Sequence, residues 1–198
     1  MDKQKIKVLY IDDEIQPFLD EYLLDIFGDE NYSSFTFDSS TSLEELIMND
    51  DIRKTNLIII DSKLFVNSNS KGNKFTGEEI KTIFNKIFPF IETIIVSQND
   101  DEENLGIIKK YQSSRQESIE SFKDYYDAHL KPKINLSMEN LKFNRLILEK
   151  LKDNESIEKA LIDNLINCID GIYDYDNLKK SDVDELISIF KEIEKKIC

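Results

Sequence analysis

Leu57-Ile58-Ile59-Ile60-Asp61-Ser62-Lys63-Leu64 is the stretch on which the fold turns. Its first four residues are all apolar and do not alternate with polar ones as a half-exposed strand would. A run of this kind is buried on both faces, which is the habit of an inner strand in a parallel sheet. The run stops abruptly at an acid. Ligands of an open parallel sheet bind beyond the carboxyl ends of its strands, so Asp61 is the first candidate site residue.

Working outward toward the start, Ile6 to Ile11 is a second run, apolar apart from Lys7, and it ends in Asp12, Asp13 and Glu14. Ile15, Phe18, Leu19, Tyr22, Leu23 and Ile26 follow at helical spacing, closed by Gly28. Phe35 to Phe37 reads as a weak strand. Thr41 and Ser42, with Glu44 and Glu45 behind them, predict a capped helix through Met48. In the other direction, Val66 to Lys74 reads as an exposed loop, and Thr76 with Glu79 forms a capping box. The helical stripe Ile80, Ile83, Phe84, Ile87 and Phe88 comes next. Thr93 to Val96 is another buried strand and stops at Ser97. A short fifth strand is expected to run into Lys131-Pro132, with a last helix over Ser137 to Lys152. Five strands alternating with five helices predict an α/β fold, a parallel sheet covered on both sides.

This domain occupies residues 1–152, and 153–198 form a small helical extension with two patterns, around Ser156–Ile169 and Ser181–Ile197. The extension holds twelve acids and six lysines, and its stripe Val183, Leu186, Phe190, Ile193 and Ile197 suits packing rather than reading of DNA. Over all 198 residues the net charge is -14, which repels phosphate backbones and argues against nucleic acid or an anionic membrane as partner. Cys168 and Cys198 have no metal-ligand spacing and read as reduced thiols. No apolar run approaches the roughly 18 residues of a membrane span, and Met1 to Lys7 lacks a signal-peptide core. The expectation is a cytoplasmic protein.

The residues that follow the strands are Asp12, Asp13, Asp61, Ser97 and Lys131. Three carboxylates at one edge repel one another and call for a cation. A small set of hard oxygen ligands suits Mg²⁺, which bridges readily to phosphate. A carboxylate beside Mg²⁺ is a feasible nucleophile toward phosphorus. Phosphoryl transfer then needs alignment and positive charge, which Mg²⁺ and Lys131 would supply, while Ser97 adds a hydroxyl donor. Each residue alone has an ordinary reading as a turn or cap, so the weight lies in their order on successive strand ends.

In that order the chain resembles the response-regulator receiver family of two-component signalling, as a divergent member. KVLYIDDE resembles its first strand and acidic pair, LIIIDSKL its third strand and phosphoacceptor, TIIVS its fourth strand and switch hydroxyl, and LKP its Lys-Pro turn. The resemblance covers about residues 5 to 150. It implies a flavodoxin-like (CheY-like) sheet of order 2-1-3-4-5, with Asp61 accepting a phosphoryl group from a sensor histidine kinase. It also implies Mg²⁺ held by Asp12, Asp13, Asp61 and the backbone carbonyl of Lys63, Lys131 paired with the phosphoryl group, and Ser97 turning toward it. The output would be contact with a protein effector or self-association, without a DNA-binding domain and without enzymatic turnover beyond phosphotransfer and self-dephosphorylation.

The chain departs from the family pattern where Gln98 follows the switch hydroxyl and where Ala128 replaces the aromatic three places before the Lys-Pro turn. The spans from Asp61 to Gly77 and from Ser97 to Lys131 are also long. These departures motivate an alternative, a degenerate pseudo-receiver that acts as an interaction module without phosphorylation. A third reading, a haloacid-dehalogenase-type phosphohydrolase, needs an Asp-x-Asp pair where this chain has Asp12 and Glu14, and it lacks that family's late acid pair. His129, the one histidine, is expected inside a strand in a structural or solvated role.

Overall fold

The computed structural model describes residues 6–37, 41–64, 76–98, 107–112 and 119–152. The expected loop at Val66–Lys74 and the extension at 153–198, with both cysteines, lie outside the described residues. The strands are β1 (Val8–Asp12), β2 (Tyr32–Thr36), β3 (Leu57–Asp61), β4 (Glu92–Ser97) and β5 (Ile108–Lys109). The described helices are α1 (Pro17–Phe27), α2 (Leu43–Met48), α3 (Asp50–Arg53), α4 (Gly77–Ile87), α5 (Ile119–His129) and α6 (Lys131–Lys152). All four strand pairings are parallel, and the order is β2-β1-β3-β4-β5, the flavodoxin-like (CheY-like) arrangement.

The apolar runs form inner strands for the reason their sequence gives. Every residue of β1 and β3 is buried, and successive side chains enter opposite layers. Leu9, Ile11, Ile58 and Ile60 pack with Leu46, Ile52, Ile80 and Phe84 of α2, α3 and α4. Val8, Tyr10, Leu57 and Ile59 pack on the other face with Leu19, Tyr22 and Leu23 of α1 and Phe122 and Tyr126 of α5. Fully burying one such side chain contributes about 1.5–3 kcal/mol. The predicted caps form as expected: Ser42 with Glu45 and Thr76 with Glu79 each make a reciprocal capping box. Gly28 closes α1 with φ at 72°, a backbone conformation costly for any side chain.

Three expectations are corrected. The fifth strand is Ile108–Lys109 and does not run into Lys131. Lys131 opens α6, and Pro132 stands in the first turn of that helix, where a missing N–H costs nothing and the fixed φ is favourable. His129 is therefore not in a strand; it ends α5 with its ring tilted against Tyr125, centroids 4.6 Å apart. The last helix begins at Lys131 rather than Ser137.

Candidate functional site

The strand register builds the site. Ile11 pairs with Ile60, so the next residues, Asp12 and Asp61, fall side by side at the carboxyl edge. Asp12 is 1% exposed and Asp61 is 5% exposed, whereas Asp13, one residue beyond the strand, is more open to solvent. Carboxylate oxygens of Asp12, Asp13 and Asp61 lie within 4.8 Å of one another. Hard oxygen donors at this spacing fit a divalent cation such as Mg²⁺. Ser97, fully buried, ends β4 one residue past Val96, the partner of Asp61.

The cation of the site is Lys110, not Lys131. Lys110 Nζ lies 2.6 Å from Asp12 Oδ2 and 2.6 Å from Asp61 Oδ1, and its side chain is 2% exposed. Lys131 forms a half-exposed pair with Asp127 at 2.9 Å, one helical turn back across the α5–α6 junction. The distance along the chain from Ser97 to the site lysine is thus 13 positions (110 − 97), not 34. Residues 99–106 within it lie outside the described residues. Counted from Lys110, the third residue back is Ile107, not Ala128, and it is buried.

Gln16, which precedes α1, and tyrosines of α5 fix the backbone on either side of Lys110. The Lys110 N–H donates to the Ser97 carbonyl at 2.6 Å. The Tyr125 hydroxyl donates to the Lys109 carbonyl at 3.0 Å, and the Tyr111 N–H donates to Tyr126 Oη at 3.0 Å. Tyr126 in turn donates to Gln16 Oε1 at 2.8 Å, and Gln16 Nε2 donates to the Tyr111 carbonyl at 2.5 Å. A two-residue strand has little ladder of its own, and these bonds hold it in place.

The turn after Asp61 is set from both sides. The Lys63 N–H donates to Asp61 Oδ2 at 2.7 Å. The Ser62 N–H donates to the Val96 carbonyl at 2.8 Å, and the Gly77 N–H donates to the Ser62 carbonyl at 2.8 Å. A Cβ on Gly77 would stand 2.8 Å from Ser62 Cα and 2.9 Å from the Asp61 carbonyl oxygen. Only glycine lets α4 begin this close to the nucleophile candidate.

The electrostatics follow from burial. Desolvation pushes the Asp12 carboxyl above its ordinary value, against the pull of Lys110 and the Tyr10 hydroxyl, and the neighbouring Asp61 charge adds to the rise. Burial raises the Tyr10 phenol far out of the physiological range, with the Asp12 charge adding to it. Tyr10 donates its hydroxyl to Asp12 Oδ2. Sequence reasoning missed Tyr10 and Lys110. The signal for Lys110 was the β-branched pair Ile107-Ile108 running into a lysine, and Lys131-Pro132 masked it.

No family model matches the chain, and no curated protein matches it. Among the described residues, no helix is long and apolar enough to cross a membrane. The chain is similar in structure to NtrX from Brucella abortus, solved in complex with ADP. That likeness has 14% identity and a TM-score of 0.36, over 82% of this chain and 40% of that one. It is also similar to a two-component transcriptional regulator AraC from Clostridium phytofermentans ISDg, at 14% identity and a TM-score of 0.40, over 71% of this chain and 98% of that one.

Proposed function

We propose that this chain is a phosphoacceptor receiver of two-component signalling, with Asp61 as the residue that takes the phosphoryl group. One observation carries the reading: the buried Lys110 ammonium bridges Asp12 and Asp61 at 2.6 Å each, beside a three-carboxylate cluster at the carboxyl edge of the sheet. A buried cation between two strand-end acids is costly as mere structure, since neither charge keeps its water. It is well suited to a site where an anionic group arrives and departs.

In this reading an Asp61 oxygen attacks the phosphorus of a phosphohistidine on a sensor histidine kinase. The P–N bond breaks, and the departing ring nitrogen takes a proton from solvent. Lys110 turns its ammonium toward the phosphoryl oxygens, and the Ser97 hydroxyl donates to them. Asp12, Asp13, Asp61 and the Lys63 carbonyl would hold Mg²⁺, which when bound neutralises charge on the transferring group. The chain is then a switch acting on a protein effector or on a second copy, and not an enzyme of turnover. Its net charge of -14 disfavours nucleic acid or an anionic membrane as partner.

The second reading, an interaction module of the same fold that is not phosphorylated, draws on two residues. Gln98 is exposed directly after Ser97, and Ile107 stands where the family carries an aromatic. Acetyl phosphate with Mg²⁺ separates the two. The intact mass should rise by one phosphoryl group in the wild-type chain and stay unchanged in Asp61→Asn. A wild-type chain that gains no mass favours the interaction module, and an Asp61→Asn chain that still gains it removes Asp61 as the nucleophile.

A further inference from the structure

Tyr10 interrupts an otherwise aliphatic run, with Val8, Leu9 and Ile11 around it in β1. It is fully buried and lies two residues before Asp12, on the same side of the strand. A buried tyrosine brings a hydroxyl that needs a partner, where an isoleucine or phenylalanine would fill the space without that demand. The partner is Asp12 Oδ2, the oxygen that also receives Lys110 Nζ at 2.6 Å. Among the described residues, the other oxygen, Asp12 Oδ1, receives a long contact from the Glu14 N–H at 3.3 Å. The charge of Asp12 is thus shared, at Oδ2, by a phenol and an ammonium.

We propose that Tyr10 is a positioning residue of the cation site, whose hydroxyl holds Asp12 toward Lys110 and takes up part of its charge. The inference rests on reading Asp12, Asp13 and Asp61 as a site for a divalent cation. Two consequences follow. The cation meets a carboxylate already partly neutralised, so it binds more weakly than to three free carboxylates. When Lys110 leaves Asp12 for an anion on Asp61, the phenol stays behind, and this 1%-exposed carboxylate is not stranded without a donor.

Calorimetric titration of Mg²⁺ into the full chain tests this. Tyr10→Phe should bind Mg²⁺ about three- to tenfold more tightly than wild type, tenfold being about 1.4 kcal/mol. Tyr22→Phe, which loses a hydroxyl bonded to Asp127 at 2.8 Å outside the cluster, should bind as wild type does. Equal or weaker affinity in Tyr10→Phe, with wild type binding normally, overturns the role of Tyr10 alone. Absence of saturable binding in wild type overturns the cation site and the role of Tyr10 with it. Should Tyr10→Phe fail to fold, proton NMR of the tyrosine-labelled wild-type chain decides. The buried Tyr10 hydroxyl proton should shift when Mg²⁺ saturates the site, and a signal that stays in place overturns the proposal.

Discussion

Lys110 and Lys131 are the same residue type in opposite circumstances, and their substitutions should differ accordingly. Lys110→Met leaves two buried carboxylates facing each other without a cation, and should cost about 3–5 kcal/mol in chemical unfolding without divalent ions. Lys131→Ala removes a pair whose side chains are each 49% exposed, and should cost less than about 1 kcal/mol. Asp12 adds a pH dependence. Its carboxyl is raised above 3.8 in the fold, so the folded chain keeps a proton that the unfolded chain has lost. Its contribution to stability therefore falls as pH rises from 3.8 through the raised folded value, and Asp12→Asn should remove that decline. Urea unfolding in chelator from about pH 3 to pH 7 checks the sign. At this scale the acids were legible because each terminates a long apolar run, as Asp61 does after Leu57 to Ile60. Lys110 was not, because a two-residue strand has no periodicity to read, and the Lys-Pro dipeptide offered a plainer mark elsewhere. Tyr10 lay within the first apolar stretch and is core, but its hydroxyl also donates to Asp12.

Among the elements, α4 is the one whose placement depends on a single atom. Gly77→Ala puts a methyl group 2.8 Å from Ser62 Cα, so the helix start must move away from the turn that carries Asp61. A loss of about 1–3 kcal/mol in unfolding free energy is expected, with slower mass gain from acetyl phosphate. Tyr126→Phe keeps the ring in its aromatic contacts with Tyr22 and Tyr125 but deletes the bonds to Gln16 and the Tyr111 N–H. It should cost about 1 kcal/mol per lost bond, with faster hydrogen exchange at Tyr111 as the local readout. Caps and apolar stripes made α1, α2 and α4 readable. The start of α6 was not, because Pro132 signals a break in a helix interior and a beginning in a first turn, and only the neighbouring chain tells which.

For the whole molecule, the sheet order was legible because parallel strands with helical crossovers leave few arrangements once the inner runs are known. A cation that binds only the folded chain adds stability by mass action, about 2.7 kcal/mol at a hundredfold excess over its Kd. Mg²⁺ should therefore raise the thermal midpoint of wild type, and raise it much less in Asp61→Asn. The brevity of β5 has a further effect, on how the molecule meets its neighbours in concentrated solution. A sheet grows by adding strands to its flanks, and very short flanking strands are a common defence against such growth. On the β5 side the template is two residues long, with the Lys109 carbonyl and the Tyr111 N–H already committed to tyrosines of α5. The β2 side presents five residues, Tyr32 to Thr36, with Ser33 and Ser34 open to water. Among the described residues β2 is thus the longer template for fibril-like stacking, and a proline or lysine placed in it should suppress such growth.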